Sequence, residues 1–548
     1  MSRSLSIDQW TLTGLVLLVA VWLPIRQLNA QSEQINTAST SSPTDVPAQR
    51  IDLEIQRKLQ EAGLSAASQC SDHEFARRLY LDLTGSIPNL EQLDRFLSDT
   101  NPAKRARLIE ELLASDAHFD YFATIFDTML MGRKEQKLVE RRTHGWHAYL
   151  RQVFSDNRPW DEVVQEILLA RGKADQRGHL WYLYERENKH QEIAESIAKS
   201  FFGVDIACAQ CHDHLAAEEI KQAHYWGLVG FFRRSTNTQT ENGIAIAESA
   251  VGGFDDYANP LLGTTEKLTL SFLLRNDVSE VHPDDPTKQE DREDLYVAIP
   301  GEPKVPVFSR REKFVAEIVQ DHPLLARAMV NRIWGLLMGR GLVHPIDKMD
   351  STQVPSHPEL LDWLADDFRH HNYDIRRLLR AVVSSNAYQQ SSDLENTSVP
   401  DHLFAKALLK PLTAEAYSRS LEVALSLPDD VIKSDSWRQV TAQWRKMFPE
   451  VIATTDQATI DQALALTNSP EFNDVLLVAA ESWVAESHEL TLDERIELLF
   501  RRVVARSPAT DEQAAIKSYL ESRLDRPATA WAQIFWTMVT SPELRFNH

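Results

Sequence analysis

The sequence predicts a mainly α fold, two multi-helix domains joined by a connector that can hold a small β-ribbon. Three observations carry this. Apolar residues recur at helical spacing from Asp52 to about Phe232, and the same periodicity resumes at Arg311 and runs to the end. Between them, residues 234–310 are broken by Gly252-Gly253 and by prolines at 260, 283, 286, 300, 303 and 306. Proline fixes φ and removes a backbone donor, so such a density excludes long helices.

Taken in order, residues 1–30 read as an export signal. Arg3 precedes an apolar run from about Leu12 to Leu23, which Pro24 closes, and Ala30 offers a small residue at a cleavage point before Gln31. The run is shorter than the roughly 20 residues of a membrane-spanning helix. An uncleaved anchor is the alternative, because Trp10 and Trp22 flank the run as interface residues do. Residues 31–50, rich in Ser, Thr, Gln and Pro, read as a flexible tether.

The first helical domain is expected over residues 51–233. Leu53, Ile55 and Leu59 open it, Phe75, Leu79 and Leu83 follow at a spacing of four, and Val163, Val164, Ile167 and Leu168 repeat the stripe. In the connector or insertion, residues 234–310, Leu268–Phe272 and Leu295–Ile299 alternate weakly, which suits a β-ribbon. The second helical domain, 311–548, has marked starts. Ser356-His357-Pro358-Glu359 has the form of a capping box, with His357 a surface residue of the first turn, and Asp374 stands as N-cap before Ile375 and Leu378. His370-His371 ends a helix, where a protonated imidazole favours the dipole. A weak echo links Arg77-Arg78, Pro88, Glu91-Gln92, Leu97 and Ser115 with Arg501-Arg502, Pro508, Glu512-Gln513, Leu520 and Ser541, as in two uses of one helical unit.

Composition narrows the function. Against 58 Lys and Arg stand 80 Asp and Glu, a net charge of −22, which argues against binding nucleic acid. With 43% hydrophobic and 25% charged residues the chain can bury a core. Its 3 cysteines cannot build a disulfide scaffold, which leaves them free for other chemistry.

Two of those cysteines lie in Cys208-Ala209-Gln210-Cys211-His212, the C-x-x-C-H sequence to which c-type haem is attached. Thiols three positions apart on one helical turn can each add to a haem vinyl group, and the next residue places an imidazole under the iron. With 3 Cys and 18 His in 548 residues, chance gives on the order of 5 × 10⁻⁴ such matches. Three other readings stand beside haem. One is a short-loop disulfide. Another is a zinc or iron site using Cys208, Cys211 and His212 with His214 or His224. The third is a pair of plain thiols beside a histidine. No sixth iron ligand is marked, since Met129, Met131, Met329 and Met338 have no recognisable spacing to the run. His144 and His147 lie at i and i+3 but read first as core or solvated residues, and Cys70 as a small buried one. No G-x-S-x-G, H-E-x-x-H or phosphate loop occurs.

Longer motifs carry a family resemblance. They are Arg77-Arg78-Leu79-Tyr80-Leu81-Asp82-Leu83-Thr84-Gly85, Asn157-Arg158-Pro159-Trp160-Asp161, Phe202-Gly203-Val204 leading into the C-x-x-C-H run, Asn331-Arg332-Ile333-Trp334, Pro355-Ser356-His357-Pro358-Glu359 and the terminal Ser541-Pro542-Glu543-Leu544. On these the chain resembles planctomycete-type secreted proteins in which a cytochrome-like domain of unknown function precedes a second family-specific domain of unknown function. The resemblance implies a secreted, mainly helical protein and a cytochrome-like first domain. Two departures stand out: Leu215-Ala216-Ala217 replaces the usual Pro-Phe, and residues 31–69 are too short for the extra cytochrome c domain of longer relatives. Asn331-Arg332 and Tyr80-Leu81-Asp82 read first as structural polar groups, with a lined cleft as the rival.

The function expected from the sequence is therefore an exported, periplasmic or extracellular redox protein with one haem c on Cys208, Cys211 and His212, meeting an unidentified redox partner or envelope protein. A scaffold stapled by a metal or disulfide is the alternative, and a hydrolase of extracellular polymer a weaker one. Membrane contact is expected only through an uncleaved N-terminal anchor.

Overall fold

The computed structural model describes residues 46–172, 177–394, 399–447, 451–452 and 469–548. The signal sequence and most of the tether read from the sequence lie outside these residues. Helix Val46–Glu61 takes in the end of the expected tether. It buries Ile51, Ile55 and Leu59, while Leu53 faces solvent.

The protein is mainly α, with only two-stranded antiparallel sheets among the described residues. Side-chain caps set many helix starts. Ser71 accepts from the Glu74 N–H, and Asn89 and Gln92 close a reciprocal box after Pro88. Asp374 caps Ile375–Val383 as expected. The expected box at Ser356 does not form. Pro358–His370 starts from His357, which caps nothing, while the Ser356 hydroxyl donates to the Leu342 carbonyl. Nor is His357 a surface residue: it is buried against Phe404.

In the connector the main hairpin pairs Ser235–Thr240 with Gly243–Glu248, a segment the alternation did not mark. The expected strands are reduced: Leu270 makes a single bridge to Val278, and Tyr296–Val297 pairs with Val305–Pro306. The connector is fixed by buried charge. Glu248 accepts from Ser309, from the Arg310 N–H and from Arg311, and Glu280 pairs with both Arg234 and Arg310. Buried ions that are paired and hydrogen-bonded in this way are costly to break singly.

The described residues form one compact unit, in which polar groups of the early helices hold late segments. Arg77 donates to the carbonyls of Val503, Glu543 and Leu544, and Arg78 to those of Tyr388, Gln390 and His548. Asp82 accepts from Tyr388, Lys410 and Asn547. Tyr80-Leu81-Asp82 is thus part of the packing that closes the chain onto itself. No described helix is long and apolar enough to cross a membrane.

Candidate functional site

The C-x-x-C-H run sits at the exit of helix His190–Phe202. Gly203 ends that helix at φ 67°, a left-handed conformation that favours glycine, and its N–H returns to the last helical turn. The last carbonyls of the same helix are held from a distant segment. Arg332 donates to Ser200 and Lys199 and pairs with Asp347, and the Met349 N–H donates to the Gly203 carbonyl. A cation at a helix C-terminus is favourable on its own account. Asn331 beside it bridges the backbone of Val343 in both directions. Asn331-Arg332 thus braces the run and does not line a cleft.

After Val204 the chain makes a 3-10 turn, Ala207–Gln210, instead of an α turn, with Cys211 following in αR conformation. Side chains three apart in a 3-10 turn eclipse one another, which puts Cys208 and Cys211 on one side. Both thiols are exposed and free, while Ala209 between them is buried. The Gln210 carbonyl accepts from Gln222 Nε2 at 3.1 Å and Trp226 Nε1 at 3.0 Å, which anchors the turn on helix Gln222–Phe232. Asp213 accepts from the Gln222 N–H at that helix's start. Glu219, further along the loop, accepts from the Ser351 N–H and hydroxyl.

The three imidazoles differ in the atom they leave free. His212 Nδ1 lies 2.6 Å from the Asp213 carbonyl oxygen. A carbonyl can only accept, so Nδ1 carries the proton and Nε2 of the neutral ring keeps its lone pair. His214 is the reverse: Nδ1 accepts from the N–H groups of Ala216 and Ala217, closing the turn where the resemblance expects Pro-Phe. Nδ1 of His224 likewise accepts from the Lys221 N–H, and burial lowers the pKa of that ring. Neutral His214 and His224 therefore hold their protons on Nε2 and their Nδ1 lone pairs in local bonds. Among the described residues no group of three His, Cys, Asp or Glu is arranged to hold a metal ion.

A cavity of about 700 Å³ opens beside the turn, lined among others by Gln210, Trp226, Val229, His190, Glu195 and Arg233. Its volume lies in the ordinary range of cofactor sites, roughly 300–1,000 Å³, but apart from Trp226 and Val229 its walls are polar. Tyr225 donates to Glu195 at 2.8 Å, and burial holds that phenol well above its ordinary range. Trp226 stacks on Tyr257 at 5.8 Å and 15°. The donor set of Cys208, Cys211 and His212 fits a c-type haem: two accessible thiols on one side of a turn, and an imidazole in the tautomer that ligates through Nε2. The cavity meets the turn at Gln210, and Cys208, Cys211 and His212 are not among its lining residues. The sequence reading missed His190, which joins the cavity from the preceding helix start. His144 and His147 are not brought together as a metal pair, since His144 stacks on Trp181 and His147 faces Thr124.

Comparison with known families matches residues 50–237 to a family described as protein of unknown function (DUF1549), and residues 310–447 to one described as protein of unknown function (DUF1553). The chain thus carries two regions of families without an assigned activity, in the order the sequence motifs suggested. No curated protein and no solved structure matches it.

Proposed function

We propose that the chain is an exported redox protein that holds one c-type haem through Cys208, Cys211 and His212. The observation that carries this reading is the tautomer of His212, whose Nδ1–H is taken by the Asp213 carbonyl so that Nε2 is the free acceptor. A ligating histidine is ordinarily oriented by such a bond from its other ring nitrogen. Cys208 and Cys211 supply the attachment points, and bound haem would supply reversible one-electron chemistry. The chain's own part is to fix the turn through Gln222 and Trp226 and to orient the imidazole. The exposure of both thiols leaves the site open to water, which suits electron exchange with a docked redox partner.

Haem is preferred over zinc because His214 and His224 spend their Nδ1 lone pairs on backbone N–H groups. The test is an absorption spectrum with intact mass on full-length protein from a host that matures c-type cytochromes. The expected result is a Soret band that survives denaturation and the mass of one haem, both lost in Cys208→Ser/Cys211→Ser. Stoichiometric zinc without haem, or a mass showing only free thiols or a disulfide, would overturn the proposal.

A further inference from the structure

Away from this run, helices Trp146–Ser155 and Trp160–Leu169, the 3-10 turn Gly178–Leu180 and the tip of the hairpin Ser235–Glu248 enclose a second cleft of about 590 Å³. Its floor depends on a close backbone approach. A Cβ on Gly178 would lie 2.3 Å from the Gly145 carbonyl oxygen and 2.8 Å from Tyr149 Cβ, so any other residue would push the walls apart.

Most charged groups of this cleft are paired; the exception is the exposed Asp156, whose carboxylate accepts from the Ser155 hydroxyl and enters no ion pair among the described residues. Glu166 accepts from the Tyr149 hydroxyl at 2.7 Å and from Arg158 at 2.8 Å. Burial works to raise its carboxyl pKa, but those hydrogen bonds and the Arg158 charge hold it below the usual range. Arg177 donates to the carbonyls of Ile244 and Gly301 and pairs with Glu302. The neutral polar groups on the walls include Gln152, Asn242 and His179.

His179 is 1% exposed, and its Nε2 lies 2.9 Å from the Arg171 carbonyl oxygen. Nε2 therefore carries the proton and Nδ1 the lone pair. That lone pair has no partner among the described residues, nor has the Nε–H of Arg177, which is 8% exposed. One buried acceptor and one buried donor are thus left unmatched in the lining of a single open cleft, where a missing bond is costly. A hydroxyl group both donates and accepts. At the rim, His144 stacks flat on Trp181, with ring centroids 4.3 Å apart and an interplanar angle of 9°.

We propose that this cleft binds a neutral polyhydroxylated ligand, a short oligosaccharide segment, with a hydroxyl donating to His179 Nδ1, Gln152 meeting neighbouring hydroxyls and the His144–Trp181 stack giving a flat face to a pyranose ring. The pairing of Arg158 with Glu166 and of Arg177 with Glu302 leaves the Asp156 carboxylate as the unpaired charge of the lining, which disfavours an anion. The inference is independent of the haem reading and concerns a different surface.

The test is calorimetric titration of the full-length protein with neutral di- to tetrasaccharides of glucose, xylose, mannose and N-acetylglucosamine, alongside sulfated and uronic counterparts. At least one neutral series is expected to saturate at millimolar concentration or below. Gln152→Ala, at an exposed position, should weaken it about tenfold, the loss of one hydrogen bond. His144→Ala should weaken it through the lost ring face, and His179→Phe should abolish it. Should His179→Phe fail to fold, the two rim substitutions decide the matter. Absence of neutral-sugar binding, binding confined to the anionic counterparts, or binding untouched by Gln152→Ala and His144→Ala would each overturn the proposal.

Discussion

The guanidinium of Arg332 donates to the carbonyl of Ser200, 132 residues earlier in the chain, in the last turn of the helix that delivers Cys208 and Cys211 to the surface. It also reaches Lys199 and Asp347, and it is only 5% exposed. The 310–447 family region is therefore structurally part of the site carried by the 50–237 region. Arg332→Met removes the donor to the Ser200 carbonyl, leaves the Lys199 carbonyl only the Gly203 N–H, and leaves Asp347 only the Lys199 ammonium at 3.8 Å. The expected loss is about 2–4 kcal/mol of unfolding free energy in urea. Arg332→Lys should recover only part, because an ammonium is a point donor and cannot reproduce the planar fork. A loss within about 0.5 kcal/mol for Arg332→Met would show that the contact carries no stability.

Helical periodicity made most of the fold legible, since Phe75, Leu79 and Leu83, or Val163, Val164 and Ile167, announce their buried face by spacing alone. The hairpin at 235–248 escaped because one strand, Ser235–Thr240, is largely polar; its signal lay in β-branched residues on both sides of Asn242-Gly243. His357 was misplaced for a different reason. Local patterning favours a Ser N-cap, but packing against Phe404 and the Ser356–Leu342 contact draws the helix start one residue on. In the candidate site, the Cys208–His212 run was legible because its chemistry is contiguous in sequence. The oriented tautomers of His212, His214 and His224 were not, because they depend on which backbone groups a folded loop presents. The same holds for the cleft at His179, whose walls come from segments up to about a hundred residues apart, between His144 and Ile244.

The three thiols stand in different surroundings, and chemical modification should separate them. Cys70 is buried, and that burial raises its pKa, so little reactive thiolate forms at neutral pH. Cys208 and Cys211 are exposed. Native protein without haem, treated with iodoacetamide at pH 8 and read by peptide mass, should be alkylated at Cys208 and Cys211 well before Cys70. Cys70 should react only on adding denaturant. Early modification of Cys70 in the folded protein would contradict the packing around helix Asp72–Thr84.

A pH dependence of stability follows from His118. Its Nδ1–H donates to the Leu83 carbonyl at 2.9 Å, and its ring lies 4.2 Å from Phe122. Burial pushes its pKa down from an ordinary 6.5 to about 4. Burial also takes His322 and His357 to about 4. Between these two values the unfolded chain binds more protons than the folded one, so stability rises with pH. The contribution is complete above about pH 6.5, is lost progressively as pH falls toward 4, and changes no further below that. One such site is worth roughly 3 kcal/mol across the window. Thermal midpoints should therefore fall steadily from pH 7 to pH 4. In His118→Asn the side-chain amide can still donate to Leu83 but cannot take a proton, so the fall should become shallower. An unchanged slope in that variant would mean that His118 does not stay neutral in the folded protein.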